Sequence, residues 1–156
     1  MNAIKKIIEK ASTLNGTIVL PEGMDARVIT AACSCVDRKI CTPIVLGTPQ
    51  EIADAEAKAG LSLAERGIRT IDYTQGDAEL EAAYLEAWNA KESRKPAEKQ
   101  KIIDLAGAQK TLRTKRIYFG GMMVKLGRVD GLVAGSIAST GDMLRPALQI
   151  IRTRSG

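Results

Sequence analysis

Hydrophobic residues along this chain follow two spacings, one typical of amphipathic helices and the other of short buried strands. From Ile4 to Ala11 apolar residues recur at helical spacing with Lys and Glu between them, which predicts a helix that ends near Asn15. Residues 17–20 (TIVL) form a continuous apolar run and predict a buried strand. Neither stretch has the continuous apolar core of a signal peptide or the length of a membrane span.

The same alternation of helix and strand continues through the chain, whose 156 residues suit one domain. Apolar runs predict further strands at residues 43–47, 69–72 and 131–134. Helices are predicted at residues 25–37, from Thr48 onward, at 77–93, 97–110 and 114–126, and from the turn at 135–140 to about 151. Short strands that are apolar on both faces and alternate with helices indicate an α/β fold with a parallel sheet covered on both sides.

Several helix ends carry recognisable capping residues. Asp25 is a predicted N-cap, and Thr48 begins a predicted capping box with Pro49 in the first turn and Glu51 three residues on. Gly127 closes the predicted helix 114–126 as a C′ glycine. These signals make the boundaries of the central elements predictable from local sequence.

Composition excludes several classes of chemistry. The chain has no His, so a Ser-His-Asp triad and a Cys/His zinc site are excluded within it. Its three cysteines are predicted to be free thiols in a reducing cytoplasm. It also lacks a G-x-x-x-x-G-K-[ST] loop and a G-x-G-x-x-G motif after the first strand, which argues against a nucleotide triphosphatase or a standard dinucleotide-binding protein.

The formal net charge of +5 suits an anionic partner. The basic residues concentrate at 91–101 and 110–116, a pattern that fits either a solvated helix face or a nucleic-acid patch. Aromatic residues make up 3% of the chain, too few for base-stacking platforms. We therefore favour the solvated face and expect no nucleic-acid partner.

Ligands of open α/β sheets bind at the carboxyl ends of the strands, so the loops there are the candidate sites. The richest is the loop at 134–145, which contains Gly135, Ser136, Ser139 and Thr140 and leads to Arg145. Small polar residues before a helix predict free backbone N–H groups for a phosphorylated ligand, with Arg145 adding a bidentate contact. The alternative is a plain strand-to-helix connection.

In that alternative, Thr140 or Asp142 caps the helix, and Pro146 moves the helix start toward Leu144. A second candidate is the loop at 21–27, which carries Glu22 and Arg27 with Asp25 between them. An internal ion pair of Arg27 with Asp25 or Glu22, together with helix capping, accounts for that loop without a function.

Three segments of the chain resemble the N-terminal part of the phosphate acetyltransferase (phosphotransacetylase) family, and the resemblance covers all 156 residues. The first is a Leu-Pro-Glu segment followed by Asp-x-Arg, matched by Leu20, Pro21, Glu22, Asp25 and Arg27. The second is the helix and strand at 118–127 and 129–133. The third is matched by Ser139, Thr140, Asp142 and residues 144–149.

The resemblance implies a three-layer α/β/α fold with a mainly parallel sheet, similar to that of isocitrate and isopropylmalate dehydrogenases. It implies an incomplete first domain at 1–156, with the second domain and a completing C-terminal segment absent. The implied activity is reversible acetyl transfer between acetyl-CoA and inorganic phosphate, giving acetyl phosphate and CoA. Coenzyme A is then a substrate, no metal or other cofactor is required, and the enzyme is a cytoplasmic homodimer without a membrane partner.

The resemblance also implies roles for individual residues. Arg145 contributes to coenzyme A binding, which agrees with the phosphate site predicted above from Ser136, Ser139 and Thr140, and Arg94 is the nearest match to a second basic contact. Ala138 stands where family members usually have a His. The catalytic carboxylate, arginine and serine belong to a segment past position 156, so no catalytic residue is expected in this chain.

Two alternatives stay open. Phosphate butyryltransferase or another acyl specificity fits the same residues, because acyl choice is made in the cleft between the domains. A non-catalytic CoA-binding or assembly module that docks on a full-length partner is the other alternative.

We expect the 156-residue chain to be a fragment that is inactive by itself, because the resemblance places the catalytic groups outside it. The measurement is acetyl phosphate production from acetyl-CoA and phosphate by the purified chain. Steady turnover would contradict this expectation.

Overall fold

The computed structural model describes residues 3–151. Residues 1, 2 and 152–156, which the resemblance also covers, lie outside the described residues. The α-helices are α1 (Ala3–Leu14), α2 (Ala26–Asp37), α3 (Pro49–Ala59), α4 (Ala78–Glu92), α5 (Leu105–Thr114), α6 (Arg116–Lys125) and α7 (Thr140–Pro146). The strands are β1 (Thr17–Leu20), β2 (Thr42–Leu46), β3 (Arg69–Ile71) and β4 (Gly131–Leu132).

The four strands form one parallel sheet in the order β3-β2-β1-β4, which confirms the predicted α/β fold. Val19 of β1 is the centre of the register, since it pairs with Ile44 of β2 on one side and Leu132 of β4 on the other. The chain first winds from β1 through β2 to β3, then returns to place β4 on the other side of β1. The strand order therefore reverses between β1 and β4.

Side chains of the central strands alternate between two hydrophobic cores, one on each face of the sheet. Ile44 and Leu46 point into the core under α4, α5 and α6, whereas Val45 points into the core under α2 and α3. Leu46 and Val45 are fully buried. This alternation follows from the period of two along a strand, and it produces the three layers. Helix α1 forms as predicted, but none of its residues is buried.

Local capping predictions are confirmed. The Asp25 side chain accepts the Arg27 N–H at 2.9 Å, and α2 begins at the next residue. Thr48 and Glu51 form the reciprocal capping box, with N–O distances of 3.2 and 2.9 Å. Gly127 has φ +69° just after α6, as a C′ glycine requires.

The predicted helix at 97–110 is wrong in its first half. Only a single 3-10 turn forms at Ala97–Lys99, and α5 begins at Leu105. Side chains of α4 bind the intervening backbone: Glu92 accepts the Lys101 N–H at 2.9 Å, and Asn89 accepts the Ile103 N–H at 3.0 Å. Because these N–H groups already have long-range partners, they are not used in a helix.

Two strands are shorter than predicted. β4 pairs only at Gly131–Leu132 rather than over 131–134, although the Val133 N–H still donates to the Val19 carbonyl at 3.1 Å. β3 spans Arg69–Ile71 instead of 69–72, because the Asp72 side chain caps the 3-10 turn that follows.

Gly23 lies at the point where β1 enters its loop, and it has no room for a side chain. A Cβ there would lie 2.5 Å from the Leu46 carbonyl oxygen and 2.5 Å from Ile52 Cδ1. We expect Gly23→Ala to lower the free energy of unfolding by about 1–3 kcal/mol or more through overpacking.

The matched control is Gly16→Ala at the other end of β1, where the nearest atom lies 3.7 Å from the new Cβ. Urea unfolding followed by circular dichroism measures both variants. If both variants lost the same free energy of unfolding, the crowding around Gly23 would carry no additional cost.

Candidate functional site

The reversal of strand order opens a crevice at the carboxyl ends of β1 and β4. Ligands of open α/β sheets bind at such switch points. A cleft of about 420 Å³ lies there, between the loop after β1, the α5–α6 junction, the loop after β4 and α7. Its volume is within the range of about 300–1,000 Å³ that is typical of ligand sites.

The floor of the cleft is built around Glu22, whose side chain is 2% exposed. Its Oε2 accepts the N–H groups of Gly135 and Ser136 at 2.7 and 2.8 Å. Its Oε1 accepts those of Ile137 and Ala138 at 2.9 and 2.7 Å. One carboxylate thus occupies four consecutive backbone donors.

The prediction that these N–H groups are free for a phosphate is wrong, because Glu22 already occupies them. Burial alone would raise the pKa of Glu22, but the four backbone hydrogen bonds outweigh burial and hold the pKa below its usual value. The side chain is therefore an anion at neutral pH. No local signal predicts this contact, since 113 residues separate Glu22 from Gly135.

Asp25 and Arg27 form further hydrogen bonds between the loop after β1 and the loop after β4. Arg27 donates to both carboxylate oxygens of Asp25, with Nε–O distances of 3.1 and 3.0 Å, as the predicted internal pair requires. Its Nη2 also donates to the Ser136 carbonyl at 2.9 Å. The Ser136 hydroxyl in turn donates to Asp25. The Arg27 hydrogen bond, with help from Ser136, holds the pKa of Asp25 far below its usual range.

One wall of the cleft is cationic. Arg116 is held by contacts with Met24, with the ring of Tyr73 at 5.6 Å and with Glu51 at 3.7 Å. Lys115 lies over the Tyr118 ring at 5.3 Å. The charge pattern predicts a solvated face for the basic run at 110–116, and the end of that run, Lys115 and Arg116, also lines the cleft.

Helix α6 begins at this wall. No side chain in the described part of the chain caps its first turn, and residues 116–118 line the cleft. The first N–H groups of a helix lack intrahelical partners and carry a partial positive charge. Together with Lys115 and Arg116, this helix end makes the wall attractive to anions.

The opposite side of the cleft is formed by α7, on which Arg145 lies. In residues 3–151 no carboxylate pairs with the Arg145 guanidinium, which lines the cleft near Tyr118. Burial raises the pKa of Tyr118, and the positive charge of Arg145 acts in the opposite direction. The Tyr118 hydroxyl donates to Gln149 at 2.6 Å. Arg145 is thus a cation without an ion-pair partner among the described residues.

The start of α7 differs from the prediction. Ser139, rather than Thr140 or Asp142, is the N-cap, and its hydroxyl oxygen accepts the Asp142 N–H at 3.2 Å. Pro146 lies at the last residue of α7 instead of its first turn, and the helix widens into a π-helix over Ala147–Ile151. A proline removes one N–H and crowds the preceding turn, which accounts for the change in helix type at that point.

The structure brings together some of the predicted site residues and leaves others apart. Arg145 lines the cleft, whereas Ser136 is bound by Asp25 and Ser139 caps α7. Thr140 is the exposed first residue of α7. Arg94 is exposed in the loop after α4 and is not among the residues that line the cleft.

Within residues 3–151, no group of three or more His, Cys, Asp or Glu side chains could hold a metal ion. Over the same residues, no helix has both the length and the apolar character needed to span a membrane. Cys33, Cys35 and Cys41 are free thiols, as predicted, and burial raises the pKa of Cys41 to about 11.

Comparison with known proteins gives one consistent family. The family model described as Phosphate acetyl/butaryl transferase matches residues 2–156. The chain is 38% identical to a phosphate acetyltransferase of Staphylococcus aureus and 40% identical to one of Thermoanaerobacterium thermosaccharolyticum. Each alignment covers the whole chain but only 43% and 44% of these relatives.

Solved structures agree with this result. A phosphotransacetylase from Streptococcus pyogenes superposes with a TM-score of 0.83 at 34% identity, and one from Staphylococcus aureus with 0.75 at 38%. The alignments cover all of this chain and 45% of each of those chains. The chain therefore spans less than half the length of the relatives that it matches.

The lowered pKa of Asp25 implies that the free energy of unfolding depends on pH. A carboxyl group whose pKa is lowered on folding stabilises the protein above its unfolded pKa of about 3.9, and this contribution is lost as the pH falls through the folded pKa. We expect Asp25→Asn to lower the free energy of unfolding at pH 7, and the difference from wild type to shrink below about pH 4.

Asn is itself a good N-cap residue, so this variant tests the charge of Asp25 rather than its capping of α2. Urea unfolding at pH 7 and at pH 3 measures the difference. A difference that stays constant between the two pH values would mean that the pairing with Arg27 and Ser136 does not depend on ionisation.

Proposed function

The chain belongs to the Phosphate acetyl/butaryl transferase family, and on that premise we propose that it is the N-terminal α/β domain of a phosphate acetyltransferase. In this proposal the complete enzyme transfers an acetyl group reversibly between coenzyme A and inorganic phosphate. A phosphate oxygen attacks the thioester carbonyl carbon, the C–O bond forms, the C–S bond breaks, and the CoA thiolate leaves and takes up a proton. The products are acetyl phosphate and CoA.

The observation that carries the proposal is the cationic cleft at the switch point. Lys115 and Arg116 on one wall and Arg145 on the other supply positive charge, and the uncapped start of α6 adds to it. Coenzyme A is polyanionic through its phosphates, and guanidinium groups bind phosphate through paired hydrogen bonds. Among the described residues, neither acid that lines the cleft forms an ion pair with these cations, since Glu22 is bound by backbone N–H groups and Asp142 by Ser139.

Each predicted residue has a place in this proposal. Arg145 contacts a phosphate of CoA directly, and Ser139 and Thr140 fix the start of the helix that carries it. Ser136 supports the same loop through Asp25. Arg94 is proposed as a second phosphate contact on the resemblance alone. We assign ligand binding to this chain and place the groups that perform the acyl transfer elsewhere in the complete enzyme.

The finer parts of the proposal follow from the family. The complete enzyme is proposed to act in the cytoplasm as a homodimer, with this chain as one of its two domains. Acetyl is preferred over butyryl as the transferred group because the matched relatives are named phosphate acetyltransferase.

Titration of CoA into the chain by isothermal calorimetry tests the proposed site. We expect wild type to bind CoA with a Kd of about 1 mM or lower, and Arg145→Ala to weaken binding at least tenfold, since a charge-assisted hydrogen bond contributes about 1.5–3 kcal/mol.

Arg69→Ala is the matched control, because it removes the same charge from an exposed residue at the amino end of β3, the end away from the cleft. If both substitutions weakened CoA binding equally, the effect would arise from the loss of net charge alone. Absence of CoA binding by wild type would contradict the proposed function and favour a structural remnant that has no ligand site.

A further inference from the structure

Two loops meet at the switch point, and side chains of the first hold the backbone of the second. Strand pairing between β1 and β4 reaches Leu132 and is followed by one bond from the Val133 N–H to the Val19 carbonyl. From Gly135 onward the bonds come from side chains of the loop after β1, Glu22 above all. Side chains therefore continue the link where strand pairing stops.

The Glu22 carboxylate fills its whole hydrogen-bonding capacity in this contact. A carboxylate offers about four acceptor positions, and the N–H groups of residues 135–138 occupy all four, two on each oxygen. Successive backbone N–H groups that converge on one point form an anion-binding nest. Glu22 thus takes the position that a bound anion would take in such a nest, but it belongs to the chain itself.

The nest is directly connected to Arg145. Ala138, the last of the four donors, precedes the N-cap Ser139, and α7 runs from Thr140 to Pro146. Because α7 has only seven residues, the position of its first turn contributes directly to where Arg145 lies, together with the bond from Tyr118 of α6 to Gln149 just after α7. The Glu22 contact therefore helps to set the position of Arg145 in the cleft.

We propose that Glu22 is a positioning residue for ligand binding: as a built-in anion, it holds the loop at 135–138 so that Arg145 faces the cleft. It does not touch the ligand and acts through Arg145. The effect of Glu22 on CoA affinity rests on the proposed function, whereas the holding of the loop at 135–138 by Glu22 does not.

Charged groups surround the nest on every side. The loop after β1 contributes Asp25 and Arg27, the start of α6 contributes Lys115 and Arg116, and α7 contributes Asp142 and Arg145. The nearest of these on the same loop, Asp25 and Arg27, neutralise each other. The direct partners of the Glu22 carboxylate are the four backbone N–H groups.

The holding of the loop is tested by NMR on the 156-residue chain, without any ligand. Across a pH titration, the chemical shifts of the amide protons of residues 135–138 should change together, with one midpoint below the usual glutamate pKa of about 4.3. In Glu22→Gln this common transition should disappear, because the side-chain amide of glutamine does not ionise in this pH range. Four independent transitions, or a common one that persists in Glu22→Gln, would overturn the proposal.

The action through Arg145 is tested by a double-mutant cycle on CoA affinity. Glu22→Ala should weaken CoA binding about tenfold, and adding it to Arg145→Ala should weaken binding by no more than about twofold further. Losses that multiply would mean that the two residues act independently. The control is Glu81→Ala, which removes an equally buried glutamate bound by Arg113 and Gln109 and should leave the affinity unchanged.

Chemical rescue separates positioning from general destabilisation. Formate is small enough to replace the missing carboxylate in Glu22→Ala, and it should restore CoA affinity in a saturable way without affecting Glu81→Ala. Lack of recovery in a variant with wild-type circular dichroism would overturn the proposal. If wild type binds no CoA, the proposed function fails, and the NMR titration still decides whether Glu22 holds the loop.

Discussion

The hydrogen bonds between the Glu22 carboxylate and the backbone at 135–138 join the two strands on either side of the switch point. Burial of an unpaired carboxylate is costly, and this one is 2% exposed. Four charge-assisted bonds, each of about 1.5–3 kcal/mol, are sufficient to offset that cost. A shift of the loop away from Glu22 would leave backbone donors without an acceptor, and a neutral amide in place of the carboxylate would offer one acceptor oxygen instead of two.

Because of this contact, the positive charge in the cleft comes from side chains and not from the backbone N–H groups of the loop. The Gly and Ser residues at 135–136 suggest a loop whose backbone binds phosphate, yet its N–H groups are already satisfied from within the chain. Positive potential comes instead from Lys115, Arg116 and Arg145, with the start of α6. Backbone donors thus fix the shape of the loop, and side-chain cations supply the charge.

Structural features that depend on neighbouring residues could be predicted from the sequence, whereas features that depend on contacts with distant residues could not. The Thr48 capping box spans three residues, and the N-cap bond of Asp25 spans two, so both could be predicted and both are confirmed. The backbone at 101–103 was predicted to be helical and is not, because Glu92 and Asn89 bind it from α4. The bond from Glu22 to Gly135 spans 113 residues and left no local signal.

The strand order was likewise beyond local patterns, since the apolar runs identify strands but not which ones become neighbours. Once β4 lies beside β1, the position of the cleft follows. The two arginines on its walls then differ in their cost of binding an anion. Arg116 is already engaged by Glu51 and Tyr73, so a ligand must share it, whereas Arg145 has no carboxylate partner within residues 3–151. Affinity is the surplus left after existing contacts are broken, so under the proposed function we expect Arg145 to contribute more than Arg116 and the accuracy of its placement to be the more important constraint.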